Sequence, residues 1–321
     1  MIQKKHASDL STKPKASKHT IALFGEMLAD IFPDRAVLGG APYNVANHLQ
    51  AFGQHPVLIT RTGNDPLRDE FLADMARLGM DDSGVQCDQI RPTGQVIVHM
   101  DENNHRFEIL PEQAYDHIHS GVVHLVTMAM QPDMVYYGTL AQRGVESRLA
   151  LDTFLSDTKS PRFLDINLRH PWYDKHIIRR SLLRANIVKI NEEELKLIAG
   201  LLKLTGFSAK DHGLSLIAKF DLTCLIVTCG SDGAWMLSKE GKEARVSGFN
   251  LNGSLVDTVG AGDGFAAVCI LGILENWLPE VMLTRASVFA AALCGIRGAV
   301  PNSSDFYLPF LEGEAYGKPT E

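Results

Sequence analysis

Long apolar runs are missing from this 321-residue chain. No stretch of about 18 or more uninterrupted apolar residues occurs, so a membrane-spanning helix is not expected. Residues 1–18 are polar and lysine-rich and lack the apolar centre of a secretory signal; they read as a flexible tail. Cysteine is sparse. Its five positions (Cys87, Cys224, Cys229, Cys269, Cys294) are odd in number, form no C-x-x-C pair and have no zinc-site pattern. This argues against a disulfide framework and for reduced thiols in the cytoplasm. Basic runs are absent as well. Lys and Arg total 31 against 38 Asp and Glu, a formal charge of −7, which disfavours a nucleic-acid partner but leaves room for local anion sites. Two nucleotide motifs are also lacking. There is no G-x-x-x-x-G-K-S/T, which excludes a P-loop. The glycine turn nearest the first strand, Gly39-Gly40, has the wrong spacing for G-x-G-x-x-G.

What is present is an ordinary globular composition, 45% hydrophobic and 21% charged. The length suits one large α/β domain with a small appendage, or two domains. Residues 19–25 are nearly all apolar and predict a strand buried on both faces. Residues 27–32 and 35–38 flank Pro33-Asp34 as a short hairpin. Gly39-Gly40-Ala41-Pro42 then turns into a helix, with Pro42 in the first turn. Residues 57–61 predict a strand and Leu67–Leu78 an amphipathic helix stopped by Gly79. Residues 95–100 and 106–110 form a second hairpin with a polar tip. The two hairpins are assigned to a small β lid, residues 27–38 and 93–112.

Strand–helix units follow. Strands are predicted at 134–137, 162–165, 187–190 and 224–228, with helices at 145–155, 177–185 and from Asn191 onward. Residues 234–238 and 244–246 make an antiparallel pair. This alternation predicts an α/β fold with a doubly wound, mainly parallel sheet covered on both faces. Ligands bind at the carboxyl ends of strands in such folds. Polar residues gather at those ends: Asp30, Gly39, Gly40 and Asn44; Asp165, Asn167 and Arg169; Asn191 and Glu194; Thr228 and Gly230; and finally Asp257 to Asp263.

The last group carries the sharpest chemistry. Val259-Gly260-Ala261-Gly262-Asp263 precedes the apolar run Phe265–Leu274, which reads as a buried helix. A small-residue turn feeding a helix N-terminus is an anion site. A carboxylate there suits a base that takes a proton from an attacking hydroxyl. Asp263 equally fits a plain helix cap. Other pieces have two readings too. Asn44 fits a polyol ligand or a local loop contact. Asn191 and Glu194, three apart, fit either Mg²⁺ held through water or a capping box. Arg169 fits a phosphate clamp or an ion pair with Asp165. Thr228 and Gly230 fit a nucleotide contact or an ordinary strand-to-hairpin turn.

These motifs, in this order, resemble the ribokinase-like sugar kinases, the PfkB carbohydrate kinases. Gly39-Gly40-Ala41-Pro42-Tyr43-Asn44 is similar to the family's N-terminal signature in its fructokinase form, and Asp257-Thr258-Val259-Gly260-Ala261-Gly262-Asp263 to its C-terminal one. Asn191-x-x-Glu194 and Thr228-x-Gly230-x-x-Gly233 are similar to the two motifs between them. The resemblance covers residues 19–312, leaving 313–321 as a second tail. It implies a β lid over a doubly wound sheet, ATP as donor, Mg²⁺, and a fructokinase-like activity; a kinase for another sugar, a sugar acid or a nucleoside, or a non-catalytic sensor, is the alternative. It further implies Asp263 as base and the N–H groups of Gly260, Ala261 and Gly262 as anion hole. Asp30, Gly39, Gly40, Asn44 and Arg169 would face the sugar. Asn191, Glu194, Thr228, Gly230 and Gly233 would face the nucleotide, with Glu194 reaching Mg²⁺ through water. Asp257 and the Val259 carbonyl, with backbone near Gly298–Asn302, would hold a monovalent cation such as K⁺. The exposed lid offers a homodimer surface. Tyr43, where many fructokinases carry a small residue, is expected to narrow the sugar pocket. The segment Phe107–Asp116 receives no contacts from the sequence.

Overall fold

The structure is a computed structural model that describes residues 18–101, 104–248 and 255–311. Most of both expected tails, 1–18 and 313–321, lies outside the described residues. Strand β1 (Thr20–Phe24) shows why a covered sheet forms. Ile21 and Leu23 enter one apolar layer, Ala22 and Phe24 the other, and all four are buried. A strand with no wet face has no reason to alternate, hence its continuous apolar run.

The chain then leaves the body for β2 (Leu28–Ile31) and β3 (Ala36–Gly39), and returns through α1 (Ala41–Ala51). Next come β4 (His55–Gly63), α2 (Pro66–Leu78) and β5 (Val85–Asp88). Asp65 caps α2 by accepting the Arg68 N–H, and Gly79 ends it in the left-handed conformation. Strands β6 (Gly94–Asp101) and β7 (Asn104–Ile109) complete the lid, a four-stranded sheet of order β3-β2-β6-β7.

Strand–helix units build the rest: α3 (Ser120–Ala129), β8 (Met134–Tyr137), α4 (Val145–Asp157), β9 (Arg162–Asp165), α5 (Lys175–Leu182), β10 (Ile187–Asn191), α6 (Glu192–Leu202), α7 (Ala209–Phe220) and β11 (Cys224–Thr228). The hairpin β12 (Ala234–Ser238) and β13 (Glu243–Val246) follows, then α8 (Ala261–Leu274), α9 (Pro279–Leu293) and the short α10 (Leu308–Leu311). The main sheet has the order β13-β12-β11-β10-β9-β8-β1-β4-β5. From β11 to β5 every neighbouring pair is parallel, while β12 and β13 run antiparallel at one edge. Helices α4 to α7 cover one face and α1, α2, α8 and α9 the other. Among the described residues, no helix is long and apolar enough to cross a membrane.

The expected fold class and both lid hairpins are observed. The unassigned segment Phe107–Asp116 is the joint between lid and body. Asp116 caps its own turn and accepts two hydrogen bonds from Arg143, at 2.7 and 2.8 Å. The Arg143 guanidinium also stacks over Trp172 and Tyr115. Losing either partner of so buried a pair would leave a charge without compensation.

Candidate active site

The chain order reverses between β1 and β8, and strand carboxyl ends open a crevice at such a point. Glu26 follows β1, Asn167 and Arg169 follow β9, and Lys189 lies at the centre of β10. Together with the lid residues Asp30, Val96 and Phe107 they line a cavity of about 370 Å³. Its floor is the turn from Thr258 to Gly262 and the first turn of α8.

That turn depends on Gly260, whose φ is +79°. A Cβ there would stand 2.4 Å from the Ala299 Cα. Gly260 starts α8 with no side-chain cap. The Ala261 N–H reaches the Thr258 carbonyl only at 3.4 Å, and Gly262 and Asp263 lie too early in the helix for an intrahelical acceptor. These donors and the helix dipole favour an anion.

Asp263 is not a cap. Its Oδ2 accepts a 2.8 Å hydrogen bond from the Asn44 Nδ2, which speaks against the local loop contact as the role of that amide. Asn44 binds neither its own loop nor a neighbour on α1 through Nδ2; it reaches across to α8. Among the described residues its Oδ1 is buried without a partner. Burial raises the Asp263 carboxyl to about 6, against the lowering effect of the Asn44 bond. Such a group is a base at neutral pH and an acid only slightly below it.

Two more carboxylates face the cavity. Burial raises Asp30 to about 6 and Glu26 to about 7. The Arg169 guanidinium lowers Glu26, Asp30 and Asp263 alike. Arg169 does not take Asp165 as its partner: Asp165 binds Lys189 with both oxygens, each 3.0 Å from Nζ, because Lys189 is next to it in register across β9 and β10.

A second cavity of about 780 Å³ adjoins the first; Asp30, Gly40, Asn44 and Val259 line both, and Gly39 only the larger. Tyr43 also lines the larger one and not the site beside Asp263. Its hydroxyl donates to Asp74 on α2, and its ring packs edge-on against Phe71. It ties α1 to α2 and stands on the wall of the larger cavity with Asp30, Gly39, Gly40 and Asn44.

At the carboxyl ends of β10 and β11, Asn191 and Thr228 are neighbours in register. The capping box is present. Asn191 Oδ1 accepts the Glu194 N–H at 2.8 Å, and Glu194 Oε2 accepts the Asn191 N–H at 3.0 Å. Glu194 Oε1 accepts the Leu168 N–H at 2.7 Å, tying α6 to the loop that carries Asn167 and Arg169. Gly230 opens the turn after β11. Gly233 has φ +102°, and a Cβ there would meet the Val246 carbonyl at 2.2 Å, so hairpin packing alone demands glycine. Asp257 accepts N–H groups from Val259 (3.0 Å) and Gly298 (3.1 Å), stitching together the two loops beside the anion turn.

Neither Glu26 nor Lys189 belongs to a motif that the sequence alone marks. The available signal was a charge at the end of, or inside, an otherwise apolar strand.

Residues 28–305 match the family model described as pfkB family carbohydrate kinase. The chain belongs to this family. It is thus a carbohydrate kinase, an ATP-dependent phosphotransferase with a sugar hydroxyl as acceptor. Among curated relatives, the fructokinase of Escherichia coli is 26% identical over 310 residues, covering 89% of this kinase and 95% of that protein. Among solved structures, the fructokinase of Vibrio cholerae O395 in its fructose, ADP and calcium ion bound form superimposes with a TM-score of 0.77 at 22% identity, over 91% of this chain and 99% of that one. A nucleoside kinase from Burkholderia thailandensis in complex with inosine gives 0.74 at 19% identity, over 93% and 99%.

Proposed function

We propose that this kinase transfers the γ-phosphoryl group of ATP to a primary hydroxyl of a neutral ketose of the fructose type. The observation that carries this reading is the pairing of Asn44 with Asp263 at the anion turn, on the wall of a cavity rich in carboxylates. Asp263 takes the hydroxyl proton as the sugar oxygen attacks phosphorus. The N–H groups of Gly260, Ala261 and Gly262 face the charge that develops on the transferred group. Positioning and electrostatics dominate such a transfer, since little covalent help is needed.

The acceptor side favours a neutral sugar. Glu26, Asp30 and Asp263 share one Arg169, so a sugar carboxylate would meet an excess of negative charge. Asp30, Gly39, Gly40 and Asn44 would bind hydroxyls. The overall fold does not discriminate, because fructokinase and nucleoside kinase superimpose almost equally well.

Thr228 and Gly230 would lie beside the nucleotide, with Gly233 shaping their turn. Each oxygen of Glu194 receives one N–H and keeps acceptor capacity, which fits Mg²⁺ held through water with Asn191 nearby. Mg²⁺ supplies charge neutralisation on the phosphates. Asp257 and the Val259 carbonyl suit a monovalent cation beside the anion turn. The cysteines of the described residues are all free, which supports a cytoplasmic location. The open edges of the lid, β3 and β7, suit pairing with a second copy.

ADP release measured with fructose, ribose, 2-keto-3-deoxygluconate and inosine tests the reading. Fructose or a close ketose should give the highest kcat/KM. Preference for the sugar acid or the nucleoside would overturn the acceptor assignment. Sugar binding without ADP release would point to a sensor.

A further inference from the structure

Lys189 interrupts the apolar strand β10, and the roles above leave it unused. Its side chain is 9% exposed. Both oxygens of Asp165 hold its Nζ at 3.0 Å, and Asp165 is itself held by the Tyr136 hydroxyl at 3.3 Å. An ammonium has three N–H bonds, so one is left over. Lys189 lines the cavity together with Gly260, Gly262 and Asp263, and a Cβ built on Gly262 would stand 3.5 Å from Nζ. The positive charge therefore sits beside the first turn of α8, where the helix N–H groups already favour an anion.

Neutralising Asp165 alone is a weak reason for this arrangement. A buried ion pair seldom stabilises a fold more than apolar residues of equal volume would. Such a pair also has no need to face a cavity. Burial works against the ammonium, but Asp165, with Asp263 and Glu194, outweighs it and holds Lys189 above the usual lysine range. The residue stays charged throughout the reaction.

We infer that Lys189 is the side-chain member of the anion hole, held by Asp165 so that its third N–H meets the transferring phosphoryl group. The inference rests on the kinase reading above. In the transfer, the sugar oxygen forms a bond to the γ-phosphorus, and the bond from that phosphorus to the bridging oxygen breaks. The electron pair leaves on ADP and the hydroxyl proton goes to Asp263. Lys189 exchanges no proton; it offsets charge on the oxygens of the group in flight.

Two variants separate this role from a structural one. Lys189→Met leaves Asp165 buried and unpaired, so it should melt at a lower temperature as well as lose turnover. The double variant Asp165→Asn/Lys189→Met removes both charges and should regain thermal stability. Its kcat should stay about 10²–10³-fold down, the loss typical of one anion-hole donor, while the sugar KM changes little. Recovery of kcat along with stability would overturn the inference and leave Lys189 as a counter-ion. A wild type that releases no ADP with any sugar would remove the kinase reading instead.

Discussion

The Asn44 Nδ2 lies 2.8 Å from the Asp263 Oδ2, although the two residues are 219 positions apart in the chain. Helix α1 carries the donor and α8 the acceptor, and both helices pack on the same face of the sheet. The bond favours the ionised form of Asp263 against burial, which holds the carboxyl at about 6. Asn44→Leu removes the donor and keeps a similar volume. The acid limb of kcat/KM should then move upward by about one pH unit, the worth of a charge-assisted hydrogen bond. Activity should fall further at pH 6 than at pH 8. An acid limb that does not move would disconnect Asn44 from the base.

Gly260 and Gly53 share a φ of +79° and differ in what surrounds them. A Cβ on Gly53 meets nothing within 4 Å, whereas one on Gly260 meets the Ala299 backbone. Gly53→Ala should cost about 1–2 kcal/mol in urea unfolding, the backbone term alone, and leave turnover intact. Gly260→Ala adds a clash, for a total of about 2–5 kcal/mol, and should also lower kcat by displacing the anion turn. Equal effects of the two substitutions on kcat would contradict the placement.

Glu26 links the site to stability. Burial raises its carboxyl from 4.5 to about 7, so the folded state prefers the protonated form. The stabilisation is complete below about pH 4.5 and is lost as pH rises through about 7. The loss is on the order of 3 kcal/mol. Glu26→Gln should abolish this share. The unfolding free energy of the variant minus that of the wild type should therefore grow between pH 4.5 and pH 8. A difference independent of pH would show that Glu26 ionises freely.

Much of this was readable because both faces of the sheet are dry. Met134–Tyr137, Arg162–Asp165 and Cys224–Thr228 fall on the expected strand bounds, since a doubly buried strand must be apolar throughout. The turn residues Gly79 and Gly260 likewise announce helix ends. Pattern reading leaves α3, α7, α9 and β5 without assignment. In α9, Pro279 stands in the first turn and apolar residues fill the interior, so it reads as a continuation of the apolar run of α8 with only Glu275-Asn276 as a polar break between them. The partner of a charge was the least readable feature. Asp165 has Arg169 four residues away in sequence, yet binds Lys189, because strand register and not sequence distance brings the side chains together. Asn44 and Asp263 show the same limit over a longer span.

The central claim is that Asp263 is the base at the α8 anion turn, and Asp263→Asn tests it most directly. Asparagine keeps the shape and cannot accept the proton. ADP release with the best sugar should fall by about 10²–10⁴-fold, while calorimetric binding of sugar and of ATP stays near the wild-type values. A variant that keeps most of its turnover, or one whose turnover falls only in step with lost sugar binding, would contradict the account.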